Sequence, residues 1–132
     1  MAKKRLVICK TRRKPKPAGC DQHHIFYQRK KWERGTLHEL RQFDYCRVTI
    51  DKNLHELIHS KVLTVPAPRP TTAVKVLAQL KTLEGYDAIG ERNTFAFRLN
   101  VLIALFDCIE PETADALRQQ LDIVREFYEQ PS

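Results

Sequence analysis

Residues 65–70 contain three prolines, and this segment constrains the fold more than any other feature of the chain. Proline has no backbone N–H and disfavours a helical conformation in the residue before it, so the segment cannot lie inside a helix. We expect a stiff, extended connector. The chain is therefore predicted to consist of a domain over residues 1–62, a connector over 63–71 and a second region over 72–132.

The regions on either side of the connector differ in net charge. Residues 1–62 hold 16 Lys/Arg and 6 Asp/Glu, residues 63–132 hold 7 and 10, and the whole chain has a net charge of +7. A strongly basic region favours a polyanionic partner. We predict that nucleic acid binds the first region through these side chains: Lys10, Arg12, Arg13, Lys14, Lys16, Arg29, Lys30 and Lys31.

Membrane and secreted proteins are disfavoured by the lengths of the apolar runs. The longest run, residues 101–106, is far shorter than the roughly 18 residues of a membrane-spanning helix. Residues 6–9 are too few for the apolar part of a signal peptide. We expect an intracellular, cytoplasmic protein without a membrane partner. The four cysteines form no C-x-x-C pair, which predicts free thiols rather than a zinc ribbon or disulfides.

Short β-rich runs and short helices are predicted in the basic region. Asp51 is of the residue type that caps a helix, and the apolar residues after it recur at helical spacing. Thr36, with Glu39 three residues later, has the pattern of a capping box. We predict strands over residues 5–9, 23–27 and 47–50, a short helix from Thr36 and a longer helix over 52–62.

The region after the connector is predicted to form three helices. The first begins at Thr71 or Thr72 and ends at Gly85, with an apolar face of Val74, Leu77, Leu80 and Leu83. The others cover residues 93–109 and, after Pro111, residues 113–129. The apolar side chains of these three helices indicate that the helices pack against other parts of the protein or against a partner. They either cover the first region, form a homodimer or bind a protein partner.

Four of the five histidines fall into two pairs within the basic region. His23 and His24 are adjacent near the start of a predicted strand. His55 and His59 are four residues apart on a predicted helix and therefore share one face of it. An adjacent pair followed by a pair at helical spacing favours a metal site more than either pair does alone.

The order and spacing of these residues resemble the HNH endonucleases, the ββα-metal group that includes the colicin-type DNases. The resemblance covers residues 20–62 and implies a small ββα-metal core within residues 1–62. Together with the three helices predicted after the connector, this gives an α+β fold with an all-helical C-terminal extension of about three helices. The matching text is Asp21-Gln22-His23-His24-Ile25, Val48-Thr49-Ile50 and Leu54-His55-Glu56-Leu57-Ile58-His59.

The resemblance implies a role for each of the paired histidines. In the family members with a histidine doublet, the first histidine binds the metal and the second is the general base, so His23 is an implied ligand and His24 the implied base. His55 and His59 are the other implied ligands of one divalent ion (zinc, magnesium, manganese or nickel). Asp21 shares a strand face with His23 and is a candidate additional ligand.

The activity that the resemblance implies is hydrolysis of phosphodiester bonds in double-stranded DNA, by a protein of the phage or mobile-element type. A neutral imidazole can take a proton from water, and a cation can neutralise charge on the phosphate and the leaving oxygen. The family's middle asparagine is not in register, because Cys46 stands nine residues before His55. A catalytically degenerate DNA-binding or protein-binding member of the family is therefore an alternative.

A second motif overlaps the helical histidines. Residues 55–59 match H-E-x-x-H, the signature of zincin metallopeptidases, with Glu56 as the base and Glu84 as a third ligand. Only about 50 residues precede this motif, whereas a zincin usually needs a larger sheet there. A zincin also has no role for His23 and His24 and no need of a basic region. The endonuclease interpretation is therefore favoured over the peptidase.

Overall fold

The described part of the chain combines a small sheet with several helices. A computed structural model describes residues 19–26, 35–62, 70–82 and 95–129. The first region contains β1 (Cys20–His24), α1 (Thr36–Gln42), a 3-10 turn (Asp44–Cys46), β2 (Arg47–Asp51) and α2 (Lys52–Val62). After the connector come α3 (Ala73–Lys81), α4 (Phe95–Ile109) and α5 (Pro111–Glu129). The prediction of an α+β fold is confirmed at this coarse level.

The two strands pair in antiparallel orientation, with His23 opposite Val48 and His24 opposite Arg47. The strand predicted over residues 47–50 is confirmed, and β2 extends one residue further, to Asp51. The strand predicted over residues 23–27 begins three residues earlier, at Cys20, and ends at His24. Ile25 and Phe26 are fully buried outside the strand, so their β-favouring character reflects burial in the core rather than strand pairing.

Helix α2 follows β2 without an intervening loop, as predicted. The Asp51 carboxylate accepts a hydrogen bond from the backbone N–H of Asn53 at 2.7 Å, which caps the first turn. The backbone N–H of Lys52 donates to the carbonyl of Gly19 at 2.9 Å and ties the helix start to the beginning of β1. Leu54 and Ile58 are fully buried, so this side of the helix is fixed against the core.

Helix α1 begins differently from the prediction. Its N-cap is Gly35 rather than Thr36, and the predicted capping box is wrong because Thr36 is already the first helical residue. The cap residue has a φ of 88°, a left-handed conformation that glycine adopts without the steric cost of a side chain. The backbone N–H of Glu39 closes the first turn on the carbonyl of Gly35 at 3.2 Å.

The three predicted C-terminal helices are present, with some differences in detail. Helix α3 ends at Lys81, and its buried residues are Ala73, Val76, Leu77 and Leu80. Val74, which was predicted to lie on the apolar face, is instead 65% exposed. Helix α5 begins at Pro111, as its fixed φ favours. The preceding residue, Glu110, accepts hydrogen bonds on its carboxylate from the hydroxyls of Thr71 and Thr113.

One cluster of buried apolar residues joins the first region to the C-terminal helices. Phe26, just after β1, packs edge-on against Phe106 of α4, with 5.7 Å between ring centroids. Helix α5 contacts both α4 and α2, and α3 contacts α1. Burial of apolar surface in this shared core is the main force that holds the short N-terminal elements in place.

The described residues also bear on the predictions for the cysteines and for membrane-spanning segments. The prediction of free thiols is wrong for Cys20, which is disulfide-bonded, and correct for Cys46 and Cys108. No helix in the described ranges is long and apolar enough to cross a membrane. The predicted strand over residues 5–9, Cys9, Glu84 and the proline segment over 65–69 lie outside the described residues.

Candidate metal centre

His23, His55 and His59 lie together although they come from two elements of the chain. Each offers one ring nitrogen, and these three nitrogens lie within 4.8 Å of one another. His23 comes from β1, while His55 and His59 come from α2, which the direct junction with β2 holds beside the sheet. The three side chains that the sequence singled out as metal ligands could therefore hold one metal ion.

The two helical histidines form the more accessible side of the cluster. They are one helical turn apart, and their Nε2 atoms are 3.0 Å from each other. Their ring centroids are 4.5 Å apart, and the rings are close to perpendicular. Burial lowers the pKa of His59, and the nearby charge of His55 lowers it further, so the ring of His59 stays neutral at pH 7.

His23 forms the inner side of the cluster and is only 1% exposed. Its ring lies 5.2 Å from the ring of Phe95 on α4, and its Nε2 is 2.9 Å from the amide oxygen of Gln120 on α5. Burial lowers the pKa of His23 to about 3, against the opposing effect of the hydrogen bond with Gln120. The ring is therefore neutral across the physiological pH range.

Asp21 lies beside the three histidines rather than among them. Its Oδ2 is 3.3 Å from Nδ1 of His55, and both side chains are partly exposed. A carboxylate in this position accepts a hydrogen bond from Nδ1–H and leaves Nε2 of His55 as the lone-pair nitrogen. The group that could hold an ion consists of the three histidines, and Asp21 orients one of them.

His24, the predicted general base, is partly buried at the end of β1. Burial lowers its pKa, and the positive charges of Arg41 and Arg47 lower it further, with a smaller contribution from His55. Arg47 is its cross-strand partner. These effects favour the neutral ring, which is the form that accepts a proton.

Arg41 is a buried cation that the sequence analysis missed. It is 1% exposed, and its Nη2 lies 2.9 Å from Nδ1 of His38. Its Nε and Nη1 have no hydrogen-bond partner among the described residues. In sequence it is one of 23 lysines and arginines, and no spacing rule distinguishes it from a surface arginine.

Cys46 occupies the position where the resemblance leads one to expect asparagine. Its backbone carbonyl accepts a hydrogen bond from the N–H of Ile25 at 3.0 Å, directly after His24. Its side chain is fully buried, and burial raises the pKa of the thiol, so the thiol is uncharged. The backbone at this position thus braces the chain beside His24 without an amide side chain.

The eight basic residues predicted to contact nucleic acid, from Lys10 to Lys31, lie outside the described residues. Comparison of the chain with protein-family models, with curated proteins and with solved structures finds no match. The functional interpretation therefore depends on the chemistry of the histidine cluster and the residues around it.

Proposed function

We propose that the protein is a metal-dependent endonuclease of the HNH type that hydrolyses phosphodiester bonds of DNA. The observation that carries the proposal is the convergence of His23 on a strand with His55 and His59 on the helix after the second strand. The order β1, β2 and α2 matches that of a ββα-metal core. The net charge of +7 is in keeping with a polyanionic substrate.

The donor set fits zinc or a divalent transition metal better than magnesium, because imidazole suits these ions and magnesium prefers oxygen. Bonds of about 2.0–2.1 Å put neighbouring ligand nitrogens of a four-coordinate ion roughly 3.3 Å apart. Nε2 of His55 and Nε2 of His59, at 3.0 Å, are close to that spacing. Burial lowers the pKa of His23 and of His59, which favours the neutral form that binds metal.

The ion held by His23, His55 and His59 would supply positive charge that stabilises the phosphate and the leaving oxygen during cleavage. His24 is the general base in this proposal and takes a proton from the attacking water. With its pKa lowered by burial and by the charges of Arg41 and Arg47, the ring of His24 is uncharged at pH 7 and can accept the proton. The charges of Arg41 and Arg47 beside His24 also favour the approach of a phosphate to the base.

The structure offers the peptidase alternative less support. A zincin uses Glu56 as its base, and that side chain is exposed on α2. The third nitrogen of the cluster comes from His23, which the zincin motif does not use. A DNA-binding protein without cleavage activity is the second candidate, because the buried thiol of Cys46 cannot provide the hydrogen bonds of an asparagine amide.

Nicking of supercoiled plasmid by the purified protein, with zinc, nickel, manganese or magnesium, tests the proposal. The His24→Ala variant should lose about 10²–10⁴-fold in rate, the usual contribution of a general base, while it still binds metal. Glu56→Gln is the matched control and should cleave at nearly the wild-type rate. Loss of activity with Glu56→Gln but not with His24→Ala would contradict the assignment. Binding of plasmid and metal without cleavage would identify the second candidate.

A further inference from the structure

Gln120 connects the C-terminal helices to the histidine cluster. It lies on α5, 97 residues after His23, and its amide oxygen is 2.9 Å from Nε2 of that histidine. Both side chains are only 1% exposed, so water does not compete for this hydrogen bond. The contact is therefore a fixed part of the site rather than a surface interaction.

The chemistry of the pair determines which ring nitrogen carries the proton. An amide oxygen only accepts hydrogen bonds, so with this oxygen facing Nε2 the proton of a neutral His23 would be on Nε2 and the lone pair on Nδ1. Asp21 has a similar effect on His55, because its carboxylate accepts a hydrogen bond from Nδ1–H and leaves Nε2 of His55 for the ion. The other nitrogen of a metal-binding histidine is commonly held by such an acceptor, which fixes the tautomer and the ring orientation.

We propose that Gln120 is a positioning residue of the metal centre: it holds His23 as the Nε2–H tautomer so that His23 binds the ion through Nδ1. This inference depends on the metal site of the proposed function and gives the C-terminal helices a role in it. Helix α5 supplies the hydrogen bond, and α4 supplies the ring of Phe95 that packs against His23. The site is thus incomplete without the helices that follow the connector.

Zinc affinity of the full-length chain, measured by competition with a chromophoric chelator, tests the role of Gln120. Gln120→Met keeps the length of the side chain but removes the acceptor, and it should weaken zinc binding about 10–100-fold, as changes of such outer partners commonly do. Gln120→Glu retains an acceptor and should restore most of the affinity. The matched control is Gln119→Met, because Gln119 is the exposed neighbour on the same helix and should not affect zinc binding.

Unchanged or tighter zinc binding by Gln120→Met would overturn the proposal. Tighter binding would mean that the amide competes with the ion for Nε2 of His23. Thermal unfolding of the metal-free variants, measured in parallel, separates a loss of zinc affinity from a loss of folding.

A second readout needs no substitution and no metal. Long-range ¹H–¹⁵N spectra of the histidine rings in the metal-free wild type should show His23 as the Nε2–H tautomer. A proton on Nδ1 would overturn the proposal even if every variant failed to fold. Neither readout depends on DNA cleavage, so an inactive protein with the expected tautomer and zinc affinities would refute the endonuclease and leave the role of Gln120 intact.

Discussion

The first region and the C-terminal helices differ in what they contribute to the molecule. All five histidines lie in the first region, on a two-stranded sheet and on two helices of 7 and 11 residues. The C-terminal helices include α4 and α5, with 15 and 19 residues, and contain no histidine. An isolated two-stranded sheet is marginally stable in water. The elements that carry the proposed chemistry are thus held in place by helices that lack metal-binding histidines.

This dependence has a direct consequence for stability. Phe106→Ala on α4 removes a fully buried ring that packs against Phe26, so it should lower the free energy of unfolding by about 3–5 kcal/mol. Val74→Ala on α3 is the control, because Val74 is 65% exposed and its truncation should change stability by at most about 0.5 kcal/mol. Urea denaturation followed by circular dichroism measures both effects.

A single transition, in which zinc binding and helix content are lost together, is expected for wild type and for both variants. If Phe106→Ala unfolds the C-terminal helices while the histidines still bind zinc with wild-type affinity, the first region does not depend on these helices for its fold.

The buried histidine makes the stability of the metal-free protein depend on pH. His23 in the folded chain has a pKa of about 3, whereas an unperturbed histidine has one of 6.5. The unfolded chain therefore takes up this proton first as the pH falls, and stability decreases by at most about 1.4 kcal/mol per pH unit. The neutral ring of His23 makes its full contribution to the free energy of unfolding above pH 6.5, and this contribution is lost progressively as the pH falls towards 3.

Urea denaturation in the presence of a chelator, repeated between pH 7.5 and pH 5, measures this slope. His23→Gln should make the slope clearly shallower than that of the wild type. Equal slopes for wild type and His23→Gln would show that the ring of His23 is accessible to protons in the folded chain.

Glu110, at the start of α5, is expected to have a smaller effect on the stability of the protein. Burial raises the pKa of its carboxyl, but the hydrogen bonds from Thr113 and Thr71 outweigh this effect and lower the pKa overall. Its stabilising contribution is therefore present above the pKa of the unfolded chain, near 4.5, and is lost as the pH falls through the lower folded value. Glu110→Ala should cost about 1–3 kcal/mol at pH 7, because it leaves the donors of Thr71 and Thr113 without their charged acceptor.

Thermal unfolding at pH 7 measures this cost against Glu126→Ala, an exposed glutamate near the end of α5 that should have almost no effect. Because Glu110 anchors the start of α5 rather than the histidine cluster, zinc affinity should stay at the wild-type value. A marked loss of zinc affinity in Glu110→Ala would extend the metal centre to the start of α5.

The features predicted correctly from the sequence are those that depend on neighbouring residues. The Asp51 cap, helix α2 and the spacing of His55 and His59 are local patterns, and the helical period alone places both histidines on one face. The predictions are wrong where packing between distant elements determines which residues are buried. The sequence of α3 allows an apolar face with or without Val74, and contact with α1 selects the face that leaves Val74 exposed.

The residues that surround the histidine cluster without binding the ion could not be predicted, for a related reason. Gln120 is an ordinary polar residue on a helix, and only the packing of α5 against the first region brings it to His23. Arg41 likewise has no local signal that distinguishes a buried arginine from an exposed one. The ligand candidates are recognisable by residue type and spacing, whereas the residues that position them depend on contacts between distant parts of the chain.

Zinc titration of the metal-free protein, monitored by calorimetry, tests most directly whether His23, His55 and His59 form one metal site. The wild type should bind one ion per chain, and alanine at each of the three positions should weaken binding by more than the roughly 10–100-fold expected for an outer partner. His38→Ala is the control and should bind zinc like the wild type, because His38 contacts Arg41 rather than the cluster. Absence of zinc binding by the wild type, or an equal loss of affinity with His38→Ala, would contradict the metal centre.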